Sequence, residues 1–123
     1  MQPFSIVVAQ SDCVAAEHLA ATLHRYFRLV AVARDIDEMR RSILHHRAHV
    51  AIIDLELVDF PELREICHEF DQVAVVCTHR VPDEQMWTES LASGAADCCE
   101  INDVKGIVTA ASRSAGESYA HAA

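Results

Sequence analysis

Glycine is scarce in this chain, with three residues in 123, and none lies in a Gly-rich loop of the kind that cradles phosphates. Nucleotide-binding fingerprints are therefore not expected. Basic side chains are outnumbered, ten against nineteen acidic, for a net charge of −9. Such a surface repels phosphate backbones and offers no basic stripe, so direct nucleic-acid binding by this domain is not expected. No apolar run approaches the roughly 18 residues that a membrane span needs, and the first residues lack the basic start and small-residue cleavage site of a signal peptide. A soluble, cytoplasmic chain with no membrane partner is the expectation. Five cysteines (Cys13, Cys67, Cys77, Cys98, Cys99) are an odd number, and three fall in strands predicted to be buried. A disulfide framework is not expected in that compartment.

What the chain does have is enough apolar content, 51% of 123 residues, to bury one core of common domain size. Its most informative stretch is Val50-Ala51-Ile52-Ile53 followed by Asp54. An apolar run ending in one acid is how a strand buried on both faces brings a charged group to the rim of a parallel sheet, where open α/β folds bind ligands. Three further runs end in a similar way: Ile6-Val7-Val8-Ala9 before Gln10-Ser11-Asp12, Val73 to Cys77 before Thr78, and Ala96 to Ile101 before Asn102-Asp103. Arg28 to Ala33 completes five strands.

Helical patterns separate the strands. Val14, Leu19, Leu23 and Tyr26 recur at helical spacing, and Asp35 with Glu38 reads as an N-cap leading Ile36, Met39 and Ile43. Asp59 with Pro61 opens a third helix through Phe70, Asp83 opens a fourth carrying Met86, Trp87 and Leu91, and Asn102 or Asp103 opens the last. Strict alternation predicts a single doubly wound (βα)5 domain over residues 1–113, α/β in class, with parallel strands. Its site should lie where strands one, three, four and five end. Residues 114–123, rich in Ser, Ala and Gly, read as a frayed, flexible tail.

In segment order and anchor spacing the chain resembles the receiver domain of two-component response regulators, from Ile6 to about Ala111. The resemblance places Asp54 at the phosphoacceptor, Thr78 at the hydroxyl switch, and Ser93-Gly94-Ala95-Ala96-Asp97 at the Gly-Ala turn into the fifth strand. With the strict alternation it implies a flavodoxin-like fold with strands in the order 2-1-3-4-5, and a non-enzymatic signalling role. The departures carry as much meaning. Setting Leu19 and Leu23 on the family's core positions puts Gln10 and Ser11 where its acid pair stands, with Asp12 one residue late. Counting from Gly94 puts Ile101 at the lysine position, Cys98 at the aromatic switch and Asn102 at the usual proline. The loop Leu55-Glu56-Leu57-Val58-Asp59 replaces the family's Met-Pro type.

A phosphoryl group on a carboxylate needs a hard cation, and Mg²⁺ favours oxygen ligands that include one or two carboxylates. Here Asp54 is the firmly placed one and Asp12 the other candidate, so Mg²⁺ binding is expected to be weak or absent. Ile101 cannot give the charge-assisted bond of a lysine, and Lys105 lies four residues further on. The expected function is thus an atypical receiver whose phosphorylation is weak or lost. It would act through protein–protein contact with a sensor kinase, a phosphotransfer protein, an output domain or a second copy of itself. Two alternatives stay open: a working Asp54 phosphoacceptor with a variant metal site using Asp12, and a flavodoxin-like small-molecule binder or enzyme.

Other groups have plainer readings. His45, His46 and His49 crowd a predicted helix end, where placement near the C-terminus suits them better than zinc. Cys98 and Cys99 are adjacent on a strand and must face opposite ways, which argues against a redox pair. Ser11 or Cys13 with His79 lacks a third orienting group for nucleophilic catalysis. Trp87 and Met86 are expected mainly in the core, and otherwise on a face used for association.

Overall fold

Five parallel strands alternate with five helices in this computed structural model, which describes the backbone of residues 1–122 and the side chains of residues 1–117. The elements are β1 (Gln2–Ala9), α1 (Cys13–Leu23), β2 (Phe27–Ala33), α2 (Ile36–His46), β3 (Val50–Asp54), α3 (Phe60–Glu69), β4 (Ala74–His79), α4 (Glu84–Ala92), β5 (Asp97–Glu100) and α5 (Val104–Ala122). The sheet order is β2-β1-β3-β4-β5, the expected order, with parallel registers throughout.

The period-two direction of strand side chains divides the apolar runs between two cores. Val7, Ala9, Ala51, Ile53, Val75 and Cys77 meet Met39, Ile43, Leu63 and Ile66 from α2 and α3 on one face. On the other, Ile6, Val8, Val50, Ile52 and Val76 meet Leu19 and Leu23 of α1 and Ile107, Ala110 and Ala111 of α5. Because helices cover both faces, β1, β3 and β4 must be apolar at consecutive positions, which is what their runs show.

Every helix begins at an aspartate. Asp12, Asp35, Asp59 and Asp83 accept from Val14 N, Glu38 N, Glu62 N and Met86 N at 2.7–2.9 Å, and Asp103 accepts from Gly106 N at 3.1 Å. Each satisfies a backbone donor that the helix cannot. The end of α4 closes just as specifically. Gly94 N donates to Leu91 O and Ala95 N to Ser90 O, a paired Schellman closure that turns the chain into β5 with Gly94 at φ +112°.

Several expectations shift. β1 starts at Gln2, four residues before the apolar run, and pairs there with Phe27 of β2. Pairing with β3 on its other side begins only at Ile6, so Pro3 falls where one flank is open and its missing N–H is tolerated. In α1 the buried face is Ala16, Leu19, Ala20 and Leu23. Val14, 71% exposed, and Tyr26, beyond the helix end, lie outside it; at about 100° per residue Val14 points away from the face that Ala16, Leu19, Ala20 and Leu23 share. Trp87 is also outside the core at 47% exposure; Ser90 is the one buried residue of α4, since a short side chain is what fits above the thiols of β4 and β5. The stretch expected to fray from residue 114 instead continues α5 to Ala122. Ser114 and Ala115 are buried because small residues let the helix lie close to the sheet. Beyond them, the side chains after 117 and residue 123 lie outside the described residues. Among the described residues no helix is long and apolar enough to cross a membrane.

Candidate functional site

A cleft of about 250 Å³ opens at the C-terminal rim of the sheet, lined by Gln10, Ser11, Asp12, Asp54, Thr78 and Ile101 together with Glu56, Arg80 and others. All six residues singled out in the sequence therefore converge, each from a strand end or the turn that follows it. Asp54 closes β3 and is 7% exposed; Thr78 lies opposite it in the β3–β4 register. Gln10 and Ser11 follow β1, and Ile101 follows β5.

Asp54 is held by three donors. Its Oδ2 accepts from the Ser11 backbone N–H at 2.9 Å and from the Ser11 hydroxyl at 2.6 Å; its Oδ1 accepts from Glu56 N at 2.9 Å. The carboxylate thus joins the loop after β1 to the loop after β3. The same Ser11 hydroxyl lies 3.1 Å from Glu56 Oε2, and its single proton serves the shorter contact with Asp54. Deeper in the cleft, Gln10 Nε2 donates to Thr78 Oγ1 at 2.9 Å, with both residues buried. A neutral amide here satisfies a hydroxyl that water cannot reach.

Charge at the mouth is arranged across two loops. Arg80 Nη2 donates to Glu56 Oε1 at 2.6 Å, and this bond, with the nearby Asp54 and Asp12 carboxylates adding to it, holds the guanidinium above its ordinary pKa. Glu56 and Arg80 were not foreseen as site residues. Their signal was positional, since Glu56 follows Asp54 by two residues and Arg80 follows Thr78 by two, but charged loop residues read first as solvated.

The remaining candidates are elsewhere. Asp12 lines the cleft, yet its Oδ1 caps α1. Lys105 is exposed in the first turn of α5 and is not among the lining residues; Ile101 packs its apolar side chain against the core beneath. His79 lines the cleft with Nδ1 accepting from Val81 N at 3.1 Å, while Ser11 gives its proton to a carboxylate, so the two form no nucleophile–base pair. Cys98 and Cys99 face the two different cores. Burial raises both thiols, Cys99 to about 12, and Cys77 is raised likewise. His45 and His46 occupy the last turn of α2, and His49 lies beyond it. Among the described residues no three His, Cys, Asp or Glu side chains are placed to hold one metal ion.

Comparison with solved structures decides the fold. NtrX from Brucella abortus, in complex with ADP, superposes with a TM-score of 0.85 at 18% identity, over 98% of this chain and 28% of that one. The receiver domain of the Francisella response regulator 1452 superposes with a TM-score of 0.81 at 16% identity, over 93% and 98% of the two chains. This chain has the receiver fold. A response regulator from Burkholderia pseudomallei, solved with a phosphorylated aspartic acid, a calcium ion and citrate, shares that receiver fold with a TM-score of 0.76 at 19% identity, over 98% of this chain and 73% of that one. The chain thus spans little more than a quarter of NtrX but nearly all of the Francisella receiver domain. Searches against protein-family models and curated proteins find no match.

Proposed function

We propose that this domain is an atypical receiver module of two-component signalling, cytoplasmic and without catalytic activity, that works through contact with protein partners and in which phosphorylation of Asp54 is weak or lost. The observation that carries this reading is the state of Asp54. Both of its oxygens are engaged by neutral donors from Ser11 and Glu56, and the two positions after β1, Gln10 and Ser11, carry no carboxylate. The donor set suits a hard divalent cation poorly. Gln10 is committed to Thr78, Ser11 to Asp54, and Asp12 to the cap of α1, whereas Mg²⁺ favours carboxylate oxygens in octahedral array. Asp12 shares the cleft, which keeps one alternative specific: a phosphoacceptor in which Asp12 leaves its cap to serve a cation. Sensor kinases, phosphotransfer proteins and output domains are the partner classes this reading implies.

A ligand shifts a two-state equilibrium only by its different affinity for the two states. With few contacts to distinguish modified from unmodified Asp54, adding a small-molecule phosphodonor to the wild-type domain should leave its mass and self-association nearly unchanged, and Asp54→Asn should behave alike. Intact mass and sedimentation velocity check this. A large donor-dependent change in wild type that vanishes in Asp54→Asn would establish a working phospho-switch instead.

A further inference from the structure

We infer that Arg80 is the group that holds an anion attached to Asp54, taking the place of a divalent cation and of a cationic side chain from β5. The inference rests on reading the Asp54 cleft as a receiver site. Arg80 is the one Arg or Lys among the residues lining the cleft, and the segment after β5 contributes Ile101 and the neutral Asn102, neither of them cationic. Its side chain is 75% exposed and is tethered at the tip, so it can move without disturbing the core.

Its present partner lies next to the place an anion would occupy. Glu56 donates its backbone N–H to Asp54 Oδ1, and its Oε2 lies 3.1 Å from the Ser11 hydroxyl, which itself stands 2.6 Å from Asp54 Oδ2. Asp54, Ser11 and Glu56 therefore form one continuous line that ends at the Arg80 guanidinium. Asp12, Asp54 and Glu56 bring three negative charges against this single positive one. Transfer of a phosphoryl group from an acyl phosphate breaks the donor's P–O bond, releases its carboxylate and forms an Oδ–P bond at Asp54. The acceptor then carries roughly one further negative charge. A guanidinium meets tetrahedral oxyanions with paired donors, so Arg80 exchanges Glu56 for the new oxygens. Glu56 is the competitor in that exchange, which makes the unaltered site a weak one.

Beryllofluoride is the probe, titrated into wild type, Arg80→Gln, Glu56→Gln and Asp54→Asn, each with EDTA and with Mg²⁺. Fluorine and amide NMR report binding and folding together. Glu56→Gln, which frees Arg80, should bind about tenfold more tightly than wild type, and Arg80→Gln at least tenfold more weakly, the scale of a charge-assisted bond. Chelation should change wild-type affinity less than twofold. Binding lost in Asp54→Asn but unaltered in Arg80→Gln overturns the role of Arg80 alone. Binding that survives in Asp54→Asn overturns the reading of the cleft as well. Strict dependence on Mg²⁺, or no binding by a folded Glu56→Gln domain, also overturns the inference.

Discussion

Asp54 is as much a fastening as a candidate acceptor. An amide in its place retains one good acceptor oxygen and turns an NH₂ toward a backbone N–H, so Asp54→Asn should lower stability by about 1 kcal/mol, and Asp54→Ala by about 2. Urea denaturation measures both; a gain in stability would mean that repulsion from Asp12 and Glu56 outweighs the three donors. His49 gives a second residue-scale expectation. Burial lowers its pKa from 6.5, and Nδ1 accepts from Ser5 N at 3.0 Å, so the fold holds the neutral ring. As pH falls below about 6.5, the unfolded chain binds more protons than the folded one, and stability is lost until the lowered folded pKa is passed. Denaturation at pH 7.5 and 5.5 should show this loss in wild type and a smaller one in His49→Asn.

Among the elements, α4 is the most lightly seated. Its one buried side chain is Ser90, which faces the Cys77 and Cys98 thiols, and Met86 and Leu91 are only half-buried. The closure after it is correspondingly important. A Cβ on Gly94 would come within 2.9 Å of Cys67 Cβ at a φ of +112°, so Gly94→Ala should cost about 2 kcal/mol or more, combining backbone strain with overpacking. Thermal denaturation checks the size, and amide exchange should show α4 opening first. The strand runs and the caps at Asp35, Asp59 and Asp83 were legible because each obeys a local rule: apolar runs for strands covered on both faces, aspartate before a helical pattern. Asp12, read as a metal candidate, instead caps α1. What escaped reading depended on tertiary fit. Val14 and Trp87 carry the hydrophobicity of core residues, yet Ala16 and Ser90 hold buried positions, because helix phase and local fit, not hydrophobicity alone, decide which side chain faces the sheet. The Arg80–Glu56 pair escaped for a different reason, since it joins residues 24 apart in sequence that meet only when β3 and β4 align.

For the whole molecule, the metal question becomes one of linkage, since a ligand bound only by the folded state raises apparent stability with its concentration. Ten millimolar Mg²⁺, roughly, should leave the Tm of the wild type unchanged if its affinity is as weak as the donor set implies. Replacing Gln10 and Ser11 together by aspartate removes the Thr78 bond and brings three carboxylates together. The double variant should melt lower than wild type in EDTA and recover several degrees with Mg²⁺. Differential scanning calorimetry measures both halves, and a Mg²⁺-dependent rise in wild type would show that Asp12 already serves the ion.

The ring of aspartates that opens the five helices has a consequence for how the molecule is approached. Every helix starts at the same end of the sheet, so Asp12, Asp35, Asp59, Asp83 and Asp103 encircle the rim, joined by first-turn acids such as Asp37, Glu38, Glu62 and Glu84. Last turns at the far end carry His45, His46 and His68. The cleft end thus concentrates acidic side chains, against which Arg80 is the one Arg or Lys lining the cleft. A basic surface diffusing nearby is rotated toward the rim before any contact forms, over a range of about 10 Å at 0.1 M salt. The order of encounter is thereby biased: the cleft is met first, and the far end is the slower face.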